Sequence, residues 1–217
     1  MAVAPVNRFL TLSVPVAPGE QVIYSTPVGV SAILLYAQVA NVGVNTYPTV
    51  TFTHRRKTNR TGNIRNARLI KNVEIPPEDA LVIIDGRYVL ERTALISDSI
   101  VIQGSQAGIV SVYDCKYNNL TGITTVTTYE NHNFSVSDQV TMAGLAFTCN
   151  SSSTIGITTT IFPFPQNSFT VTNVGTSTIF TTNTGVIVGI AHTYVSGGRV
   201  GPLQMEFSCS ILENSNV

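Results

Sequence analysis

Leu203-Gln204-Met205-Glu206-Phe207-Ser208-Cys209-Ser210-Ile211 alternates apolar and polar residues without a break. Period two marks a strand with one covered face. Leu203, Met205, Phe207, Cys209 and Ile211 therefore need a sheet to pack against, and the chain just before them is an unpromising donor. From Thr121 to Thr184 it holds eighteen threonines, two acidic residues (Glu130 and Asp138) and no lysine or arginine. Threonine is β-branched and stiff at χ1, so this stretch reads as short strands with wet, uncharged faces. The economical solution sends residues 200–217 back to pair with an N-terminal sheet. The threonine-rich stretch, residues 119–199, then becomes an insertion before the last strand.

Outward from that run, strand signals recur and helix signals are nearly absent. Leu10, Leu12, Val14 and Val16 alternate with Thr11, Ser13 and Pro15, which predicts a first strand and not a cleaved leader. Ile33, Leu35, Ala37 and Val39 share one face by parity, as do Val50 and Phe52. Asp85-Gly86 between Leu81-Val82-Ile83-Ile84 and Tyr88-Val89-Leu90 predicts a two-residue hairpin. Pro76-Pro77 opens at most a single turn. In the insertion, Gln139–Met142 and Leu145–Cys149 read as strands parted by a Gly144 turn, and Ser168–Val174 and Thr176–Thr182 as a pair around Gly175. Asn118-Asn119 and Gly197-Gly198 mark its ends. The expected fold is all-β: an N-terminal β-sandwich of residues 1–118 plus 200–217, with a small β-barrel or sandwich module inserted at 119–199.

The totals narrow the function. Twelve basic residues balance twelve acidic ones, and only 11% of the chain is charged, against about 25% in ordinary soluble proteins. A neutral, charge-poor surface favours permanent association. No apolar run of about 18 residues is present, so no spanning helix is expected. Cys115 and Cys209 fall among apolar neighbours and read as small buried hydrophobes of a chain made in a reducing cytoplasm.

Local chemistry is sparse. Arg55, Arg56, Lys57, Arg60, Arg65, Arg68 and Lys71 place seven of the twelve positive charges on a hairpin with its tip at Thr58–Gly62. They are candidates for subunit contact. Direct nucleic-acid binding would want interleaved aromatics, which this run lacks. Phe162-Pro163-Phe164-Pro165 cannot occupy a central strand and is either an exposed contact loop or a lid over the module's core. His54, His132 and His192 lack metal-ligand spacing. Gly104-Ser105-Gln106-Ala107-Gly108 has its serine out of place for a nucleophile elbow, and Glu78-Asp79 diverge on any regular element. No catalytic residue, metal or cofactor is expected.

The insertion resembles a module of virion proteins from tailed phages of marine cyanobacteria. The resemblance rests on Thr121-Gly122-Ile123, His132-Asn133-Phe134-Ser135-Val136-Ser137-Asp138-Gln139-Val140 and Ala146-Phe147-Thr148-Cys149. It continues through Thr160-Ile161-Phe162-Pro163, Phe169-Thr170-Val171 and His192-Thr193-Tyr194-Val195-Ser196-Gly197-Gly198. It departs at Asn133, where the family more often carries glycine. The flanking region is similar to small β-sandwich proteins of the same phages through Gln21-Val22-Ile23-Tyr24, Thr26-Pro27, Gln38-Val39-Ala40-Asn41, Ile75-Pro76-Pro77 and Ser210-Ile211-Leu212-Glu213. The resemblance implies a non-enzymatic, multi-copy virion component made in the host cytoplasm. Its partners would be other virion proteins and its own copies, with the insertion facing outward and touching a neighbour or the host surface. Tail, neck or baseplate is the first expectation and capsid decoration the second. A host-surface carbohydrate-binding adhesin is the third; it would need clustered exposed aromatics, and the chain has no tryptophan and eight tyrosines scattered in sequence.

Overall fold

The computed structural model describes residues 7–151, 154–159, 167–186 and 190–215. It is all-β. In chain order the strands are β1 (Asn7–Pro15), β2 (Gly19–Ser25), β3 (Val30–Asn41), β4 (Thr49–Thr58), β5 (Ile64–Glu74), β6 (Ala80–Glu91), β7 (Ile96–Ser105) and β8 (Val110–Tyr117). They continue as β9 (Ile123–Thr128), β10 (Gln139–Ser151), β11 (Thr154–Thr159), β12 (Ser168–Thr176), β13 (Ile179–Asn183), β14 (Ile190–Pro202) and β15 (Met205–Ser215). The chain divides into two units: Met1–Val16, Glu20–Ser105 and Gln204–Val217 form the first, Ala17–Gly19 and Gln106–Leu203 the second.

In the first unit two four-stranded sheets run β1-β15-β3-β6 and β2-β7-β4-β5. Renumbering its eight strands by order within the unit gives 1-8-3-6 and 2-7-4-5, the double Greek key of a jelly roll. The last strand is an interior one: β15 pairs antiparallel with β1 on one side and β3 on the other. Met205, Phe207, Cys209 and Ile211 are buried on its inner face. They share one core with Leu34, Ala37 and Val39 of β3, Val50 and Phe52 of β4, and Ile100 and Ile102 of β7. Phe207 stacks on Phe52 across the sandwich at 5.7 Å. At the rim, the Tyr24 hydroxyl donates to the buried Glu213 carboxylate at 2.8 Å, and burial together with that contact pushes the phenol's pKa up.

The second unit closes. Its sheet runs β10-β12-β13-β9-β8-β14, and β14 pairs back onto β10, so six strands form a ring; β11 adds to the end of β10. Val126, Phe134, Val140, Met142, Leu145, Phe147, Phe169, Val171, Phe180 and Val200 fill it. Thr124, Thr128, Thr141 and Thr182 are buried as well. Thr124, Thr128 and Thr182 share the parity of core-facing Val126 and Phe180 and line the inside of the barrel, where the sequence pattern had assigned the residue type to wet faces. Thr141, between the core residues Val140 and Met142, is buried on the opposite face of β10.

Several local expectations are corrected, two of them by bulges. Asp85-Gly86 is not a hairpin. β6 runs unbroken through it, with Gly86 at φ +150° and the register against β3 shifting there. Glycine at such a φ serves a bulge as readily as a turn. On β3 the ladder slips at Leu35, so Ala32 and Leu34 point inward on one side of the slip and Ala37 and Val39 on the other. Ile33 is consequently turned away from the core that parity assigned to it. Gly144 and Gly197-Gly198 end no strand either, because β10 and β14 pass straight through them with Leu145 opposite Gly197. β8 belongs to the barrel, pairing with β9 and β14. The unit boundaries thus fall at 105/106 and 203/204, not at 118/119 and 199/200.

The β10–β14 crossing shows why glycine stands there. Gly197 has φ +75°, and a Cβ on it would sit 2.9 Å from the Gly144 carbonyl oxygen. Only glycine lets the two strands bend this closely at the barrel corner. Gly197→Val is expected to cost about 2 kcal/mol or more from the left-handed φ plus the clash. Two-transition thermal unfolding checks this: the barrel transition should fall and the jelly-roll transition stay.

Candidate functional site

The seven basic residues lie on the β4–β5 hairpin, whose tip is closed by the Thr58 and Gly62 backbone. The structure splits them by role. Arg55 bonds Asn66 and pairs with Glu20. Arg56 reaches inward and grips Asp98 with Nε and Nη2, both at 2.7 Å. Lys57, Arg60, Arg65, Arg68 and Lys71 are exposed. Arg65, Arg68 and Lys71 ride β5, the outermost strand of its sheet. Long charged side chains on a free edge obstruct addition of another strand. Two register shifts against β4 and Asn72 at φ +50° bend the same edge. Edge protection is therefore one role these cations fill in the isolated molecule. Phe162, Pro163, Phe164 and Pro165 lie outside the described residues.

Beneath the hairpin is a polar cluster that sequence spacing did not reveal. Asp98 is buried and also accepts the Glu91 N–H at 3.0 Å. His54 Nε2 lies 3.2 Å from Asp98 Oδ1 as an electrostatic contact, without hydrogen-bond geometry. His54 Nδ1 and the Tyr88 hydroxyl are 2.8 Å apart, joining β4 of one sheet to β6 of the other. The parity of β4 explains the arrangement: Val50 and Phe52 face the core, and His54 and Arg56 continue that face to the rim. An open pocket of about 170 Å³ is lined by His54, Arg56, Arg65 and Ala67.

A histidine between a carboxylate and a hydroxyl suggests an acid–base relay, but nothing here prepares a nucleophile. Burial raises the Tyr88 phenol's pKa, and Arg56 and the Glu91 N–H already engage both Asp98 oxygens. Burial alone would raise the Asp98 carboxyl; Arg56, the Glu91 N–H and His54 outweigh it, and the pKa ends below its ordinary 3.8. The cluster is a clasp between the two sheets. The remaining histidines are also structural. His132 is buried, stacked on Phe134 at 5.0 Å, and accepts the Phe134 N–H at Nδ1 (2.9 Å). Its Nε2 lies 3.2 Å from the Thr176 carbonyl oxygen, which fixes the tautomer protonated at Nε2. Asn133 beside it takes φ +57°, the left-handed region that glycine and asparagine adopt most readily. Burial lowers the pKa of His192. Burial pushes the Cys115 thiol up to about 12 and the Cys209 thiol to about 11, leaving both inert. Among the described residues no group of three or more His, Cys, Asp or Glu could hold a metal ion.

The structure gathers tyrosines that sequence had scattered. Four of the eight sit on β8, on β14 or just past β9: Tyr113, Tyr117, Tyr129 and Tyr194. Tyr113 and Tyr129 are 61% and 65% exposed and meet edge to face at 5.2 Å. The β8–β14 ladder jumps from the Thr193–Lys116 pair to the Arg199–Ser111 pair. Across that interval the Tyr194 hydroxyl donates to the carbonyls of Gly197 (2.8 Å) and Val112 (3.3 Å). A pocket of about 260 Å³ opens beside it, between Asp114, Lys116, Tyr117, His192 and Thr193.

No protein-family model matches the chain, and no curated protein matches it. Among solved structures it is similar to infectious bursal virus derived T=1 particles, at 8% identity and TM-score 0.31, covering 97% of this chain and 39% of that one. It is similar to the infectious bursal disease virus VP2 subviral particle at 5% identity and TM-score 0.30, covering 98% and 42%. Against the STIV MCP the values are 6% and 0.24, covering 99% and 98%. The chain spans about two fifths of the length of the bursal virus chains. Likeness at this level says nothing about function.

The clasp has a measurable signature. Arg56→Ala would strand a buried carboxylate and is expected to cost about 3 kcal/mol. In the native protein Asp98 stays ionised at pH values where the unfolded chain would take up its proton. Its contribution is complete above about pH 5, the unfolded range, and is lost as pH falls through the lower folded value. Urea titrations between pH 2 and 7 should show the acid limb beginning at higher pH in Arg56→Ala than in the native protein.

Proposed function

We propose that this chain is a non-enzymatic structural component of a tailed-phage virion, present in multiple copies and associated with the tail, neck or baseplate. The jelly roll is its anchor, and the barrel is the element presented outward. The observation that carries this reading is the outer face of the β1-β15-β3-β6 sheet. Register places Phe9 opposite Leu212, Leu212 opposite Ile33, and Ile33 opposite Val89. An apolar row therefore crosses all four strands, with Phe9 at 71% and Val89 at 52% exposure.

The row of Ser13, Ser208, Gln38 and Val82 is uncharged, and that of Thr11, Ser210, Tyr36 and Asp85 carries one charge, at the β6 edge. An interface core is depleted of charge and rich in apolar and aromatic side chains, and this face fits that description. The resemblance to cyanophage virion modules and the low charge of the whole chain point the same way. The exposed Lys57, Arg60, Arg65, Arg68 and Lys71 supply a second, polar contact along the β4–β5 hairpin, toward an acidic neighbour.

Incorporation into particles tests the reading. Phe9→Asp with Val89→Asp alters only exposed positions, so melting should stay within a few degrees. Copies per particle should nevertheless drop at least about tenfold, a loss of about 1.4 kcal/mol or more in contact energy. Undiminished incorporation would remove this face from the account. Labelled particles viewed by electron microscopy locate the protein: six to a few tens of copies at one end support the tail or neck, and hundreds over the shell would make it a decoration protein.

A further inference from the structure

We propose that the outer wall of the barrel at β8 and the end of β9 is a saccharide-binding site, reading a neutral, hydroxyl-rich polysaccharide with the Tyr113–Tyr129 pair and the carboxylates of Asp114 and Glu130. It deepens the outward role given to the barrel, and its failure would leave the particle assignment standing.

The site begins with a bulge. β8 buries Val110, Val112 and then Cys115, a step of three that a regular strand cannot make with one face. The register against β9 slips between Val112 and Asp114. The extra residue turns Tyr113 and Asp114, neighbours in sequence, away from the core together. Bulges are the usual means of re-aiming a side chain at a binding site. On β9, Thr124, Val126 and Thr128 face inward, so parity sends Thr125, Thr127 and Tyr129 outward. Tyr129 is fixed through its N–H to the Ser111 carbonyl at 3.0 Å, which sets its ring against Tyr113.

The polar groups are held around those rings. Asp114 Oδ1 accepts the Cys115 N–H at 2.8 Å, and its Oδ2 lies 3.6 Å from the Lys116 ammonium. Glu130 Oε2 accepts the Ser111 N–H at 3.3 Å. Register adds Thr127 opposite Asp114 and Thr125 opposite Lys116.

This combination selects the ligand. A tyrosine ring joins a large apolar face to a polar tip, and the apolar face of a pyranose can lie against it. Carboxylates fixed by backbone donors accept hydrogen bonds from hydroxyls of the sugar rim, and bonds to a charged acceptor are the strong ones. A nucleic acid or acidic polymer would meet Asp114 and Glu130 with Lys116 as the cation beside them. Protein–protein interface cores deplete Asp, Glu and Ser, whereas here carboxylates adjoin the rings. The bulge and the edge-to-face pair add nothing to the barrel core, which is filled from the other face.

The full-length protein is run by affinity electrophoresis through gels containing a neutral β-glucan, a galactan or a mannan, with alginate as the acidic comparison. Because the chain has no tryptophan, tyrosine fluorescence follows the same titrations directly. The expected result is retardation by at least one neutral polymer. Tyr113→Ala with Tyr129→Ala should weaken it at least about tenfold, while Tyr113→Phe with Tyr129→Phe, which keeps both rings, stays within about threefold. Asp114→Asn should weaken it as well, with the melting curve unchanged. Retardation by none of the neutral polymers, retardation insensitive to the alanine pair, or binding confined to alginate and abolished by salt would each overturn the proposal.

Discussion

β15 hydrogen-bonds on both edges, to β1 and to β3, yet the chain supplies it after both partners and after every strand of the barrel. Until it arrives, β1 has no partner in its sheet and Phe52 has no Phe207 to stack on. Everything between Ser105 and Met205 is made first and must not compete for that slot. The barrel meets this constraint by closing on itself. A ring of six strands leaves little free edge among the described residues, and its core draws on its own residues. The jelly roll, by contrast, depends on a pairing between residues about two hundred positions apart, the slow, non-local kind of contact. Cys209 and Ile211 extend the buried face of β15, and Glu213 with Tyr24 seals its end.

Much of this was legible in residues. Period two in Met205–Ile211 specified a covered strand, and the threonine block specified a separate β module, because both signals are local and repeat over many positions. Parity failed where the backbone slips. Ile33 and Leu35 could not be assigned to a face without knowing that β3 bulges at Leu35, and Asp85-Gly86 suits a bulge as well as a hairpin. β8 carries a clean alternation that fits either unit; only its pairing with β9 and β14 assigns it. The jelly-roll strand order is a statement about non-local neighbours, and no single segment encodes it.

The sites follow the same division. A run of seven cations is visible in sequence, but their different duties are not, since Glu20 and Asp98, the partners of Arg55 and Arg56, lie 35 and 42 positions away. The tyrosines looked scattered because Tyr113 and Tyr129 sit on adjoining strands, brought together by the β8–β9 register and a one-residue bulge. The apolar row of Phe9, Leu212, Ile33 and Val89 was hidden for a related reason: its four members come from four strands, and one of them had been assigned to the core. Two surfaces of different chemistry result. One is a charge-poor sheet face with an apolar row on the jelly roll, suited to another protein; the other is a wall of rings, hydroxyls and carboxylates on the barrel.

The dependence of the jelly roll on its final strand is tested most directly by ending the chain after Leu203 and measuring amide hydrogen exchange along what remains. The account predicts that amides of β3, β4 and β7 exchange at the rate of an unfolded chain, while those of β9, β12 and β13 keep the protection they have in the full-length protein. Native-like protection of β3 and β4 without β15, or loss of protection in the barrel strands, would contradict it.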